Sequence, residues 1–160
     1  MRGYTVEFEN VSVTTANTDY DHFEGSPTDE RGVKITSIVL DVLSELGDAQ
    51  EEHIRLRLIR GHATSGSGGS TATPRPVDPV DAAAGISSWE INNPTIASTG
   101  TANNLLSDGF NVRGGYRQDW DENGKAPFTT QAETTVVLRQ MNTVTDDVSM
   151  SGTLSYVEPG

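Results

Sequence analysis

The stretch HIRLRLIR, residues 53–60, decides the fold class of this chain. Apolar residues occupy every second position, and basic side chains fill the positions between them: Ile54, Leu56 and Leu58 against His53, Arg55 and Arg57. Successive side chains of a β-strand point to opposite faces of its sheet. The pattern therefore predicts a strand with one buried and one solvated face, as is typical of antiparallel sheets.

The segment at the start of the chain, YTVEFENVSV (residues 4–13), has the same period of two. Its apolar side chains alternate from Tyr4 to Phe8 and resume on the other parity at Val11. One extra residue in a strand produces such a change of parity. The slip at Glu9 and Asn10 thus predicts a strand with a β-bulge.

The remaining strand candidates are short and separated by turn signals. Residues 33–46 are strongly apolar and rich in β-branched side chains, which favours a buried strand. Residues 148–156 alternate cleanly, with Gly152 at an inward position, and could lie beside the first strand. Further candidates are residues 86–91, 102–106, 109–117 and 134–141, with turn signals at Asn92-Asn93-Pro94, Asp108-Gly109 and Asn123-Gly124. Residues 15–32 are predicted to be loop.

About eight short strands without a long amphipathic helix predict an all-β fold. We expect an antiparallel β-sandwich, jelly-roll-like, with one long Gly/Ser/Pro-rich loop. At 160 residues, we expect a single β domain over residues 1–160.

The composition narrows the classes of partner. The chain has no cysteine, a net charge of -12 and a pI near 4.4. An acidic protein gains nothing from the release of counterions on DNA, so we expect no nucleic-acid partner. An anionic membrane surface is disfavoured in the same way, and we read no signal peptide or transmembrane span. We expect no cofactor.

The loop DWDENG offers a weak candidate metal site. Asp119, Asp121 and Asn123 alternate before Gly124, as in the first half of a calcium-binding loop. The twelfth position is Thr130 where that loop has glutamate, and Glu133 follows three residues too late. We therefore favour an acidic hairpin tip with a type I′ turn at residues 123–124, with calcium binding as the alternative.

Catalytic signatures are weak. The three histidines, His22, His53 and His62, stand in no recognised nucleophile motif, so we predict a protein that is not an enzyme. A second acidic cluster, Asp19, Asp21 and Glu24 around His22, is predicted to be a solvated loop.

Residues 60–85, RGHATSGSGGSTATPRPVDPVDAAAG, hold almost no large apolar side chain. The Gly- and Ser-rich first half is flexible and loses much conformational entropy when it becomes ordered, whereas the prolines stiffen the second half. Asp78 could cap one helical turn that ends at Gly85. A long segment without its own core is usually functional or disordered.

The chain resembles virion structural proteins of tailed bacteriophages, in particular the small head proteins that decorate or cement capsids. The features that carry this resemblance are MRGYTVEFENVSVTTANTDYD, the segment 60–85 and the ending DDVSMSGTLSY. The likeness is one of overall type across the chain.

This resemblance implies a non-enzymatic virion protein that self-associates, as a trimer, and binds the major capsid protein or other virion proteins. It places the chain in the virion, assembled in the host cytoplasm. The segment 60–85 is then an interaction arm, with partner-binding candidates Arg60, His62, Pro74, Arg75, Pro76 and Asp78. Arg55 and Arg57 are candidates for the subunit interface, where they would meet carboxylates. The alternative is a carbohydrate- or calcium-binding β-sandwich module, favoured by an exposed aromatic platform near Trp89 or Trp120.

Overall fold

Twelve strands pair antiparallel in two sheets in the computed structural model of the chain, which describes residues 1–28, 31–45, 51–121 and 123–159. The strands are β1 (Arg2–Val13), β2 (Tyr20–Gly25), β3 (Val33–Val42), β4 (His53–Arg60), β5 (Ser70–Ala72), β6 (Arg75–Pro76), β7 (Trp89–Asn93), β8 (Asn103–Asn111), β9 (Tyr116–Asp119), β10 (Phe128–Thr129), β11 (Val136–Gln140) and β12 (Val148–Glu158). A single-turn 3₁₀ helix covers Gln131–Glu133. The predicted all-β sandwich is confirmed.

The first sheet, sheet A, has the strand order β10-β3-β12-β1-β6, and β9 also pairs with β3. The second sheet, sheet B, has the order β5-β7-β2-β11-β4-β8. No helix in the described part of the chain is long and apolar enough to cross a membrane.

The two ends of the chain pair with each other, because β1 and β12 are neighbours in register from Arg2↔Glu158 to Val13↔Val148. The register shifts between Phe8 and Val11, where Asn10 has a φ of 53°. This confirms the predicted bulge in the first strand.

The core lies between the sheets and contains the side chains that the alternation selects. Ile54, Leu56 and Leu58 of β4 are buried, and so are the inward residues of β12. The rings of Trp89 and Tyr4 each contact the ring of Tyr156. Gly152 faces this core, where an added Cβ would lie 2.7 Å from the Phe8 ring. Glycine at this position leaves room for a large aromatic side chain.

Local connections link the two sheets along both open sides of the sandwich. β5 is an edge strand of sheet B and β6 an edge strand of sheet A, and only residues 73–74 separate them. On the opposite side, residues 112–115 join edge strand β8 to β9. Phe110 and Tyr116, whose ring centroids lie 5.8 Å apart, pack across that second connection. The first connection belongs to the Gly/Ser/Pro-rich segment, which is therefore part of the architecture.

Three local predictions were wrong. Residues 15–32 are not all loop, because β2 lies inside them, buried along its whole length. The sequence Asp108-Gly109 is no turn but continues β8, and its backbone runs close to β4. The hairpin around Asn123-Gly124 is absent too, since β9 and β10 both pair with β3 rather than with each other.

Candidate interaction surfaces

Residues 60–85, called the arm here, are ordered against their own chain. β5 pairs with β7 through Ser70↔Ile91, and β6 pairs with β1 through Thr5↔Arg75. Two isolated bridges, Thr64↔Ser98 and Ser67↔Thr95, hold the part that precedes β5. The arm thus presents fixed surfaces, and its contact with a partner stays a prediction.

The first two partner-binding candidates are engaged within the chain. Arg60 is half-buried and donates to the backbone oxygen of Phe128. His62 is only 8% exposed, and its backbone oxygen accepts a bond from the Thr135 hydroxyl. Both residues secure the start of the arm and offer little to another protein.

The proline-containing half of the arm divides into covered and exposed residues. Pro74 is buried and Pro76 is half-buried, whereas Arg75 and Asp78 are exposed. The Asp78 carboxylate accepts from the amide of Val80, and its backbone oxygen accepts from the amide of Asp81. These bonds make a single tight turn, so the predicted helical turn up to Gly85 does not form.

An exposed apolar patch accompanies that turn. Val77 is 68% exposed and Val80 is 86% exposed, the two highest values among the large apolar side chains described. We call Val77 and Val80 the arm patch. A backbone bond from the Val77 amide to the Gly3 oxygen fixes it on β1.

The two arginines proposed for a subunit interface lie together on the outer face of sheet B. Arg55 and Arg57 line a surface groove of about 380 Å³ with His53, Ser107 and Asp108 among its other residues. The Arg55 guanidinium donates to the backbone oxygen of Met141. Within the described residues, neither arginine has a carboxylate at ion-pair distance. Their charge is thus available to an acidic partner.

The side chains of the weak calcium candidate are engaged within the chain. Asp119 instead pairs with Arg117 across 2.7 Å, and the hydrogen bond from that guanidinium lowers the pKa of the Asp119 carboxyl. Asp121 accepts the amide of Asn123 and so organises a turn. No group of three or more acidic or histidine side chains in the described ranges, which leave out Glu122, is arranged to hold a metal ion.

Glu133, the glutamate nearest to the expected twelfth position of the calcium loop, also has another role. Glu133 closes the 3₁₀ turn by accepting both the amide and the hydroxyl of Thr130. These hydrogen bonds lower the pKa of the Glu133 carboxyl.

The cluster around His22 was predicted to be solvated, and this was wrong. Asp21 is fully buried and accepts two bonds from Arg139, the shorter 2.6 Å, and one from the amide of Ala97. Glu24 accepts from the Ser65 hydroxyl and the Gly66 amide of the arm. These carboxylates therefore fasten covering segments to the outside of sheet B.

This network could not be predicted from the sequence, because its partners are far apart along the chain. The one sign of it is Arg139, a single charged residue within the largely apolar segment TTVVLRQM. A charged side chain in a covered strand needs a paired opposite charge, and Asp21 supplies it.

Burial shifts the titration of two neighbouring groups in β2. It lowers the pKa of the His22 imidazole to about 4, although hydrogen bonding to Gln140 and Asn92 opposes the shift. It raises the pKa of the Glu24 carboxyl, against the lowering effect of the bonds from Ser65 and Gly66.

Neither tryptophan forms the exposed aromatic platform that would mark a sugar-binding face. Trp89 is fully buried, and Trp120 is half-buried.

Comparisons with protein-family models, with curated proteins and with solved structures find no match for the chain.

Proposed function

We propose that this chain is a non-enzymatic structural protein of a virus particle, which docks on a capsid surface and self-associates there. The observation that carries the proposal is the arm patch. Large apolar side chains exposed together mark sites of protein association more often than scattered ones do. Here they sit at a turn that follows β6 and is fixed on β1 of sheet A.

The way in which the arm is anchored supports a docking role. β6 pairs with β1, and the ion pair between Arg2 and Asp81 lies beside the patch. A surface already fixed in its binding geometry loses less entropy on association than a flexible segment. Val77 and Val80 therefore serve as preformed contacts rather than as part of a tether.

The groove around Arg55 and Arg57 supports self-association. The chain carries a net charge of -12. Two neighbouring arginines that have no carboxylate partner among the described residues therefore give this part of the surface a local positive charge. A second copy offers a strongly acidic surface that such a groove attracts. The adjacent strand β8 is an edge of sheet B, with backbone groups free to pair with another strand.

On this proposal the chain belongs to the phage head. It forms a trimer, and its partner is the major capsid protein. Electron microscopy of heads that have bound the purified chain tests it. We expect added density on the outer surface, with residues 75–81 against the capsid. Density that contacts the capsid only through the β3–β9 side of the sandwich would contradict the role of the arm.

A further inference from the structure

Among the described strands, β8 is the longest that lies at the edge of a sheet. It has nine residues, whereas the other edge strands β5, β6, β9 and β10 have two to four. A long edge invites pairing with another chain, and proteins usually protect such an edge with proline or lysine. β8 contains neither residue, so its edge is open to an added strand.

The backbone bonds of β4 show which groups of β8 point outward. The Arg55 amide donates to the Asn142 side chain, and the Arg55 oxygen accepts from the Met141 amide. Arg55 therefore bonds on the side of β11 and not to Gly109, its partner in β8. Since opposite residues of an antiparallel pair alternate between bonded and unbonded, the amide and the oxygen of Gly109 point away from β4.

The same alternation applies two residues earlier in β8. Ser107 lies opposite Arg57 in an unbroken register, so its backbone amide and oxygen also point outward. Ser107 is exposed, and no backbone bond outside the β4–β8 ladder uses either group within the described residues. The Gly109 amide, in contrast, already donates to the Asp108 carboxylate. The edge thus offers a donor and an acceptor at Ser107 and an acceptor at Gly109.

The charges beside this edge select an acidic strand. Arg57 and Ser107 line the arginine groove together, and the small serine leaves room for a carboxylate of an added strand to reach Arg57. A second β8 would not supply it, because Asp108 is the one carboxylate of this strand. Its oxygens already accept from the Gly109 amide and the Tyr116 hydroxyl.

We propose that β8 receives an extended acidic segment of a second copy of this chain by strand addition. The inference rests on the proposed self-association and names the form of its contact. Backbone hydrogen bonds at Ser107 and Gly109 give affinity in this mode, and the side chains of alternate residues give specificity. Because the added segment differs from β8, the interface joins two different surfaces, and such an interface closes into a ring where the rotation allows.

Hydrogen exchange resolved to single residues, below and above the concentration at which the chain self-associates, tests the added strand. The Ser107 amide should exchange rapidly in the monomer and at least about tenfold more slowly in the assembly. The Leu106 amide is the internal control, because the pair Leu58↔Leu106 is bonded within sheet B and should protect it in both states.

Two substitutions at one position separate strand addition from attraction between charges. Ser107→Pro removes the outward amide and leaves the bonds to β4, since proline is tolerated where an edge amide faces solvent. Ser107→Ala keeps the amide and is the matched control. In sedimentation velocity we expect Ser107→Ala to associate as the unmodified chain does and Ser107→Pro to remain a monomer, although both keep Arg55 and Arg57.

A Ser107 amide that stays unprotected in the assembly would overturn strand addition and leave self-association through the arginines intact. Unchanged association of a folded Ser107→Pro variant would do the same, and if that variant fails to fold, the exchange of the unmodified chain decides. Protection that appears only on phage heads would make the capsid protein the occupant and overturn the assignment to a second copy. A chain that stays monomeric in solution and unprotected on heads would contradict the proposed self-association as well.

Discussion

Asp21 and Arg139 lie 118 residues apart in the chain and form a buried ion pair, with 2.6 Å between Arg139 Nε and Asp21 Oδ1. The backbone of Ala97 completes the arrangement, because its amide donates to Asp21 and its oxygen accepts from Arg139. The pair thereby joins β2, β11 and the segment that follows β7.

Removing one member of this pair should be strongly destabilising. We expect Asp21→Asn to lower the free energy of unfolding by about 3–5 kcal/mol, because a buried guanidinium is left without its counter-charge. Urea unfolding followed by circular dichroism measures the change. The matched control is Arg117→Gln, which removes the exposed pair with Asp119 and should leave the midpoint unchanged. Equal effects of the two substitutions would show that burial of the pair has no consequence.

Gly152 should tolerate no side chain. An alanine Cβ there would lie 2.7 Å from the Phe8 ring and 2.8 Å from the Leu40 side chain. We expect Gly152→Ala to cost about 1–3 kcal/mol through overpacking of the core. Gly124→Ala is the control, since nothing lies within 4 Å of its added Cβ. Thermal unfolding of both variants makes the comparison, and a stable Gly152→Ala variant would contradict the packing described here.

His22 should make the chain sensitive to acid. Burial lowers its pKa to about 4 in the folded state, whereas in the unfolded state it titrates near ~6.5. The unfolded state therefore gains a proton first as the pH falls from ~6.5, and the fold loses about 3 kcal/mol by pH ~4. His22→Gln should remove this loss.

Glu24 acts in the opposite direction over part of the same range. Its raised pKa means that the folded state binds a proton more readily than the unfolded state, so its contribution to stability is present at low pH and is lost as the pH rises through the folded pKa. Between pH values of 7 and 4, acidification should thus lower the urea midpoint of the unmodified chain, and it should lower the midpoint of His22→Gln less or raise it. A pH profile unchanged by His22→Gln would contradict a buried neutral imidazole.

Self-association should depend on the arginine groove. Sedimentation velocity at tens of micromolar should give a multiple of the 17.2 kDa chain. The double variant Arg55→Gln/Arg57→Gln should shift this species toward monomer, as should high salt, because exposed charge pairs are screened. Arg117→Gln, which alters another exposed arginine, should sediment as the unmodified chain does. A monomer at these concentrations without any substitution would contradict self-association.

The strands that could be predicted from sequence are those with one face in the core and one in water. Apolar and polar residues alternate in β4 and β12 for this reason, and the bulge in β1 is visible as a shift of the apolar side chains from even to odd positions. β2 shows no such alternation, because Asp21 and Glu24 on its outer face are covered by residues 62–68 and 94–99. Its polar side chains made a buried strand look like a loop.

The order of the arm could not be predicted either, because it depends on distant residues. Ser65 and Gly66 bond to Glu24, 41 and 42 residues earlier in the chain. We expected the arm to add little to the core, and its large apolar residues Val77 and Val80 are indeed exposed. Its backbone, however, supplies β5 and β6, so its deletion would remove two strands.

Co-sedimentation with empty heads that lack this chain tests whether the arm patch docks the folded protein on a capsid. Val77→Ser/Val80→Ser removes apolar surface at two exposed positions, and Leu43→Ser, at an apolar side chain 45% exposed outside the arm, is the control. We expect the double variant to keep its thermal stability, since exposed substitutions change stability by less than about 0.5 kcal/mol, while its affinity for heads falls by at least about tenfold. Leu43→Ser should saturate the heads as the unmodified chain does. Full occupancy by the double variant at unchanged affinity would contradict docking through the arm patch.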